Sequence, residues 1–164
     1  WVPESLYTYV LLERLDGNST RAEPYTRRLR AEYPGNKWAL KLDEANSPEQ
    51  IYDIAWVLMR GNRYLEASER FAHAYALRQS PEKKEEALFW LAKSNELAGR
   101  RAEAKARYLE LAKHYRGYWV AESLYTYVLL ERLDGNSARA MPFALRLRAE
   151  YPGNKWTLKL DEMK

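Results

Sequence analysis

Forty-four residues of this 164-residue chain occur twice. Residues 1–44, WVPESLYTYVLLERLDGNSTRAEPYTRRLRAEYPGNKWALKLDE, return at 119–162 as WVAESLYTYVLLERLDGNSARAMPFALRLRAEYPGNKWTLKLDE, with 37 of 44 positions identical at an offset of 118. A repeat of this length confines the fold to stacked supersecondary units, each burying against its neighbour an apolar face it cannot bury alone. Five of the seven differences fall in one run: Thr20, Glu23, Tyr25, Thr26 and Arg27 against Ala138, Met141, Phe143, Ala144 and Leu145.

The stops and starts along the chain predict helical hairpins. Residues 4–16 form an amphipathic helix ended by Asp16-Gly17-Asn18, since Gly and Asn tolerate the left-handed conformation that closes helices. Ser19 or Thr20 is expected to cap a second helix reaching about Tyr33, which Pro34-Gly35-Asn36 ends, and Lys37–Ala45 forms a short third helix. Ser47-Pro48-Glu49-Gln50 is a sharp start: serine caps, proline takes the first helical position, and glutamine three residues on completes a capping box. That helix runs to about Arg60, turns at Gly61-Asn62 and pairs with Tyr64–Arg78. Ser80-Pro81-Glu82 repeats the start, giving a helix to about Ala98 and a partner over Ala102–Tyr115, before Arg116-Gly117-Tyr118 leads into the second copy. No stretch alternates like a strand.

Composition narrows the function classes. Thirteen Tyr and six Trp favour an interaction surface in addition to a core, because aromatics dominate interfaces. A net charge of +4 without a block of like charge favours acidic partners weakly and is too diffuse to indicate nucleic acid, which the recurrent glutamates Glu4, Glu49, Glu86 and Glu122 oppose. The chain has no Cys, which excludes disulfides and thiolate metal sites, and no apolar run of membrane-spanning length. It begins at Trp1 without a leader-like stretch, as expected of a trimmed or excised piece. His73 and His114 lack a carboxylate pair at ligand spacing, so no metal and no cofactor are expected. No phosphate-cradling glycine loop or nucleophile motif is present.

Aligning an alanine early in each second helix superimposes Ala22, Ala67, Ala104 and Ala140, with Gly17, Gly61, Gly99 and Gly135 four to six residues earlier. This pattern resembles the tetratricopeptide repeat. The third unit carries the family's signature in order: Leu88, Leu91, Ala92, Gly99, Ala104, Tyr108 and Leu111. The second supplies Ile51, Ile54, Ala55, Tyr64, Ala67, Phe71 and Ala74, while the outer units replace the small residue of the first helix with Val10 and Val128. The resemblance implies an all-α, right-handed α-solenoid of four helical hairpins with short extra helices at 37–45 and 155–162. It is expected to be one domain over 1–164, with units at about 3–36, 48–80, 81–118 and 119–154. The 155–162 helix, with Trp156, Leu158 and Leu160, suits the apolar end of a terminal repeat.

In that family the first helices line a groove that binds peptides, non-catalytically. Carried onto this chain, the groove positions are Tyr7, Tyr52, Phe89 and Tyr125, each three residues after a glutamate. Trp56 and Lys93 follow one turn on, then Arg14, Arg60 and Arg132. Aromatics flanked by cations suit a protein or peptide carrying carboxylates, although rings in these positions also pack between units. The asparagine and lysine pattern of clamps that hold a C-terminal carboxylate is missing. The YPGN pattern with its short helix is similar to bacterial envelope tetratricopeptide proteins, which leans towards the periplasm or cell envelope for the parent protein. LAKHYRGYWVAESL is similar to the helical part of lytic transglycosylases, and the alternative function is such a non-catalytic part. Glu4-Ser5 and Glu122-Ser123 resemble the catalytic pair of those enzymes, but the motifs that build the sugar cleft are absent.

Thr20, Glu23 and Arg27 share a helix face that becomes Ala138, Met141 and Leu145 in the later copy. This change is expected to let the later copy pack on its predecessor while the first stays polar at an exposed end. It fits a recent duplication or, better, an engineered repeat protein acting as a scaffold. Near-identical ends also open a route to self-association by exchange of the duplicated hairpin.

Overall fold

The computed structural model describes residues 2–44 and 46–163, and these form an all-α helical-repeat fold. Ten helices follow in order: α1 (Val2–Leu15), α2 (Ser19–Glu32), α3 (Lys37–Lys41), α4 (Pro48–Arg60), α5 (Tyr64–Leu77), α6 (Pro81–Leu97), α7 (Arg101–His114), α8 (Val120–Leu133), α9 (Ser137–Glu150) and α10 (Lys155–Glu162). No strand occurs among the described residues. The chain divides into two compact units, Trp1–Ala74 and Tyr75–Lys164.

In the first unit α1 pairs with α2 and also meets α3 and α4. Its core gathers Leu6, Tyr7, Val10 and Leu11 of α1 with Ala22 and Leu29 of α2, Ala39 and Leu42 around α3, and Val57 of α4. Burying each large aliphatic side chain contributes about 1.5–3 kcal/mol, so this cluster determines how the hairpin closes. The start signal of α4 is realised with one shift. Ser47 Oγ accepts from the Gln50 amide at 3.1 Å, but Gln50 Oε1 accepts from Asn46 N, at 3.1 Å. Gln50 Nε2 then donates to the Lys41 carbonyl at 2.9 Å, tying α4 to the end of α3.

Two local expectations are corrected. Ser19 is the first residue of α2 and does not cap it; Asn18 takes the cap position without a side-chain bond. The third helix stops at Lys41, well before Asp43 and Glu44, because the chain must turn away to reach Ser47 and α4. Ala45 lies outside the described residues. The second-copy segment, which differs only in Thr157 for Ala39, remains helical through Glu162.

The turns show where spacing outranks residue type. Gly17, Gly99 and Gly135 take positive φ (+78°, +77°, +77°), each five residues before its hairpin alanine. Gly61 stands six residues before Ala67 and has φ −83°, and Asn62, with φ 59°, takes the left-handed position instead. Asparagine is the residue best suited to do so after glycine.

In the second unit α6 pairs with α7, α7 with α8, and α8 with α9. Leu88, Ala92, Ala104, Tyr108 and Leu111 are fully buried along the α6–α7 seam. Small residues on both helices allow the close approach that this seam requires. The link into α8 is held by a buried carboxylate. Glu85 accepts from Gly117 N at 3.1 Å and from Trp119 N at 2.8 Å. A Cβ on residue 117 would stand 2.2 Å from Glu85 Oε2, so only glycine allows this contact without displacing the carboxylate. In α10, Thr157 and Leu160 are buried and Trp156 is half-buried, whereas Leu158 points outward.

The face changed between the copies is a further correction. Met141 and Leu145 are 59% and 58% exposed, and Ala138 is exposed too, as are Thr20, Glu23 and Arg27. The later copy does not pack through this face. It meets α7 chiefly through α8, and Arg146 of α9 adds a hydrogen bond to the Ala112 carbonyl.

Candidate functional site

The nine groove positions separate by burial. Tyr7, Tyr52 and Phe89 are buried; Trp56, Lys93, Tyr125 and Arg132 are half-buried; Arg14 and Arg60 are exposed. Each buried ring has a structural partner. Tyr52 meets Phe71 of α5 edge-on at 5.4 Å, and Phe89 stacks on Trp119 at 4.3 Å with 22° between planes. Tyr7 donates its hydroxyl to Asp53 at 3.0 Å and packs against Trp38 at 5.2 Å. Burial first, and the Asp53 charge second, push the Tyr7 phenol well above its ordinary pKa, so it remains a neutral donor.

The first unit brings three predicted residues to one depression. Tyr7, Trp56 and Arg60 line a recess of about 70 Å³ with Glu4, Trp38 and Asp53. Glu4 and Arg60 also border a neighbouring open groove of about 370 Å³ with Ser5, Thr8, Tyr9 and Leu12. The lining thus brings the Arg60 guanidinium and the Trp38 and Trp56 indoles together with the carboxylates of Glu4 and Asp53.

In the second unit Lys93 pairs with Glu96 at 3.2 Å, and the Tyr108 hydroxyl donates to the same Glu96 at 2.7 Å. Glu122, one turn before Tyr125, is half-buried. Its burial raises the carboxyl pKa, against the opposing charges of Lys155, Lys93 and Lys159. Tyr125 packs against Trp156 at 5.2 Å, and Lys155 and Lys159 lie over that indole at 4.7 and 4.6 Å.

The groove positions carried across from the family omit Asp53, Lys41, Trp38 and their second-copy counterparts Lys159 and Trp156. A signal for the last four was available. KWALK and KWTLK repeat Lys-Trp-x-x-Lys in both copies, and residues three and four apart share a helix face. Asp53 carried none, since its role depends on α4 folding back onto α1. His73 and His114 are both exposed, and the described residues contain no group of three or more potential metal ligands. Among the described residues, no helix is long and apolar enough to cross a membrane.

Residues 86–117, covering most of α6, the turn and α7, match the family model of the tetratricopeptide repeat. This hairpin is a tetratricopeptide repeat. No curated protein matches the sequence. Among solved structures, that of MamA aligns with TM-score 0.54 at 16% identity, covering 86% of this chain and 73% of that one. A putative kinesin light chain with nearly identical TPR-like repeats from Podosopora anserina aligns with TM-score 0.55 at 13% identity, covering 95% of this chain and 80% of that one. At these identities the likeness is one of fold: tetratricopeptide-like hairpins in series.

Proposed function

We propose that this chain is a non-catalytic protein-interaction module that binds acidic peptides through the first-helix faces of its hairpins. The observation that carries the reading is the recess where Tyr7, Trp56 and Arg60 meet in the first unit. The Lys93–Tyr125 neighbourhood, with its additional lysines, supports the same chemistry in the second unit. The exposed and half-buried members, Arg14, Trp56, Arg60, Lys93, Tyr125 and Arg132, make the contacts. The buried Tyr7, Tyr52 and Phe89 hold the surface in shape. A single solenoid domain over 1–164 belongs to this reading, and one cooperative unfolding transition tests it. The long duplication supports a repeat protein assembled by copying a hairpin, in keeping with a scaffold role and with engineered origin. The same duplication supports self-association by hairpin exchange. The YPGN-plus-helix pattern supports an envelope setting for the parent protein.

The test is an array of acidic and basic peptides probed with the intact chain, followed by Arg60→Glu and Lys93→Glu. Acidic peptides are expected to bind, and each charge reversal to weaken them at least tenfold, the loss of one charge-assisted hydrogen bond of about 1.5–3 kcal/mol. Binding that neither substitution weakens would rule out these faces.

A further inference from the structure

The two copies build the same small surface, and only one of them has it covered. In the first copy Tyr7 and Trp38 pack at 5.2 Å with 37° between planes, and Lys41 Nζ lies 5.0 Å from the indole centroid. In the second, Tyr125 and Trp156 pack at 5.2 Å with 36° between planes, with Lys159 Nζ at 4.6 Å. The first surface is occupied by α4. Asp53 accepts from Tyr7 Oη at 3.0 Å and from Lys41 Nζ at 2.6 Å, while Ile54 and Val57 pack against the core beside it. Under that helix Tyr7 and Leu11 are buried. Their counterparts Tyr125 and Leu129 are only half-buried, and Lys159 is exposed. The Tyr125 hydroxyl has the Met163 thioether as acceptor, at 3.7 Å, where Tyr7 has a carboxylate. A thioether is a weak acceptor that a carboxylate readily displaces.

We infer that the Tyr125–Trp156–Lys159 surface docks an α-helix of a partner protein, apolar on one face and bearing a carboxylate where α4 carries Asp53. The occupant follows from the covered copy. It is a helix with the spacing Gln-x-x-Asp-Ile-x-x-Val found at residues 50–57. Charge selects it as well, because Lys155 and Lys159 lie over the Trp156 indole at 4.7 and 4.6 Å and a carboxylate entering there is matched by more than one cation. This inference rests in part on the acidic-peptide reading, sharing Tyr125 and the neighbouring lysines with it, but the helical occupant and its contact with Trp156 belong to this inference alone.

The probe is a fluorescent peptide spanning residues 46–61, titrated into the intact chain and followed by anisotropy. Saturable one-to-one binding is expected. Asp53→Asn in the peptide, or Lys159→Glu in the protein, is expected to weaken it about tenfold or more, and an Asp53→Lys peptide to regain affinity for the Lys159→Glu protein. Met163→Ala should leave binding intact or tighten it. Arg60→Glu should not change it, which separates this site from the peptide faces of the first unit. Absence of saturable binding overturns the proposal, as does binding indifferent to Lys159→Glu, since the peptide would then be displacing α4 from its own site. A concentration-dependent dimer in light scattering that Lys159→Glu abolishes overturns it too, assigning the surface to a second copy instead.

Discussion

The two copies of one hairpin bury opposite flanks. In the first, Val2 is 47% exposed and Tyr9 36%; in the second, the equivalent Val120 and Tyr127 are 0% and 3% exposed. Two residues to either side of Tyr9 and Tyr127 the order reverses: Tyr7 and Leu11 are buried, and Tyr125 and Leu129 are half-buried. Even the closing aspartate changes partner. Asp16 pairs with Arg63 at 2.8 Å, further along the chain, whereas Asp134 pairs with Arg101 and Lys105, at 2.6 and 2.7 Å, earlier in it. Nothing in 37 shared residues distinguishes these states. Neighbours do: α4 covers one flank of α1, and α7 covers the other flank of α8. A tetratricopeptide-like hairpin therefore carries two competent flanks, and its place in the series decides which is core and which is surface.

The sharpest way to break this comparison is to delete the same ring from each copy. Tyr127→Ala should cost about 3–5 kcal/mol, the usual range for emptying a buried aromatic site, and Tyr9→Ala much less, read from urea unfolding. Tyr7→Ala against Tyr125→Ala should reverse the order, with the larger loss in the first copy. Equal costs within either pair would mean that the flanks are not used differently.

Next in size is the link that leads into the second copy. Gly117→Ala or Glu85→Ala should each cost about 0.5–3 kcal/mol, since both take the buried carboxylate away from the Gly117 and Trp119 amides. Loss of protection at the Gly117 and Trp119 amides in hydrogen exchange would localise the effect.

A pH test sharpens the comparison at the end of each first helix. Burial alone would raise the Glu131 carboxyl pKa, but hydrogen bonds from Asn136, Tyr127 and Lys105 outweigh it and hold the carboxyl below its ordinary value. A carboxyl lowered on folding contributes stability above its unfolded pKa and loses it as pH falls through the folded one. Glu131→Gln should therefore lower the melting temperature at pH 7, with the difference shrinking under acid conditions until the two proteins coincide. Glu122 has the opposite sign. Burial raises its pKa, so Glu122→Gln should leave stability unchanged or raise it at pH 7, with no difference once both states are protonated.

The smallest effect is at the surface. Asp134→Asn and Asp16→Asn each loosen exposed ion pairs, and their effects on melting temperature should be the least of those named and should fade with added salt.

Much of the fold was legible from residue types alone. Ser47-Pro48 and Ser80-Pro81 mark helix starts, the DGN turns mark stops, and the hairpin alanines align the units, because caps, turns and small-residue contacts are local requirements that few residues meet. The aligned alanine even explains why Asn62 rather than Gly61 takes the left-handed turn position. The candidate site was legible as positions, not as surfaces: Tyr7, Tyr52 and Phe89 occupy equivalent places, yet each ring is buried by a different partner. Met141 and Leu145 show the reverse failure, since two apolar residues on one helix face read as core and lie in solvent.

What the sequence determined by itself is the repeating helical hairpin, written twice in nearly the same letters. Which flank of each copy is sealed, and which presents Tyr125, Trp156 and Lys159 outward, was decided only by tertiary structure. Burial depends on what stands opposite a residue, and two identical sequences cannot record a difference in their neighbours.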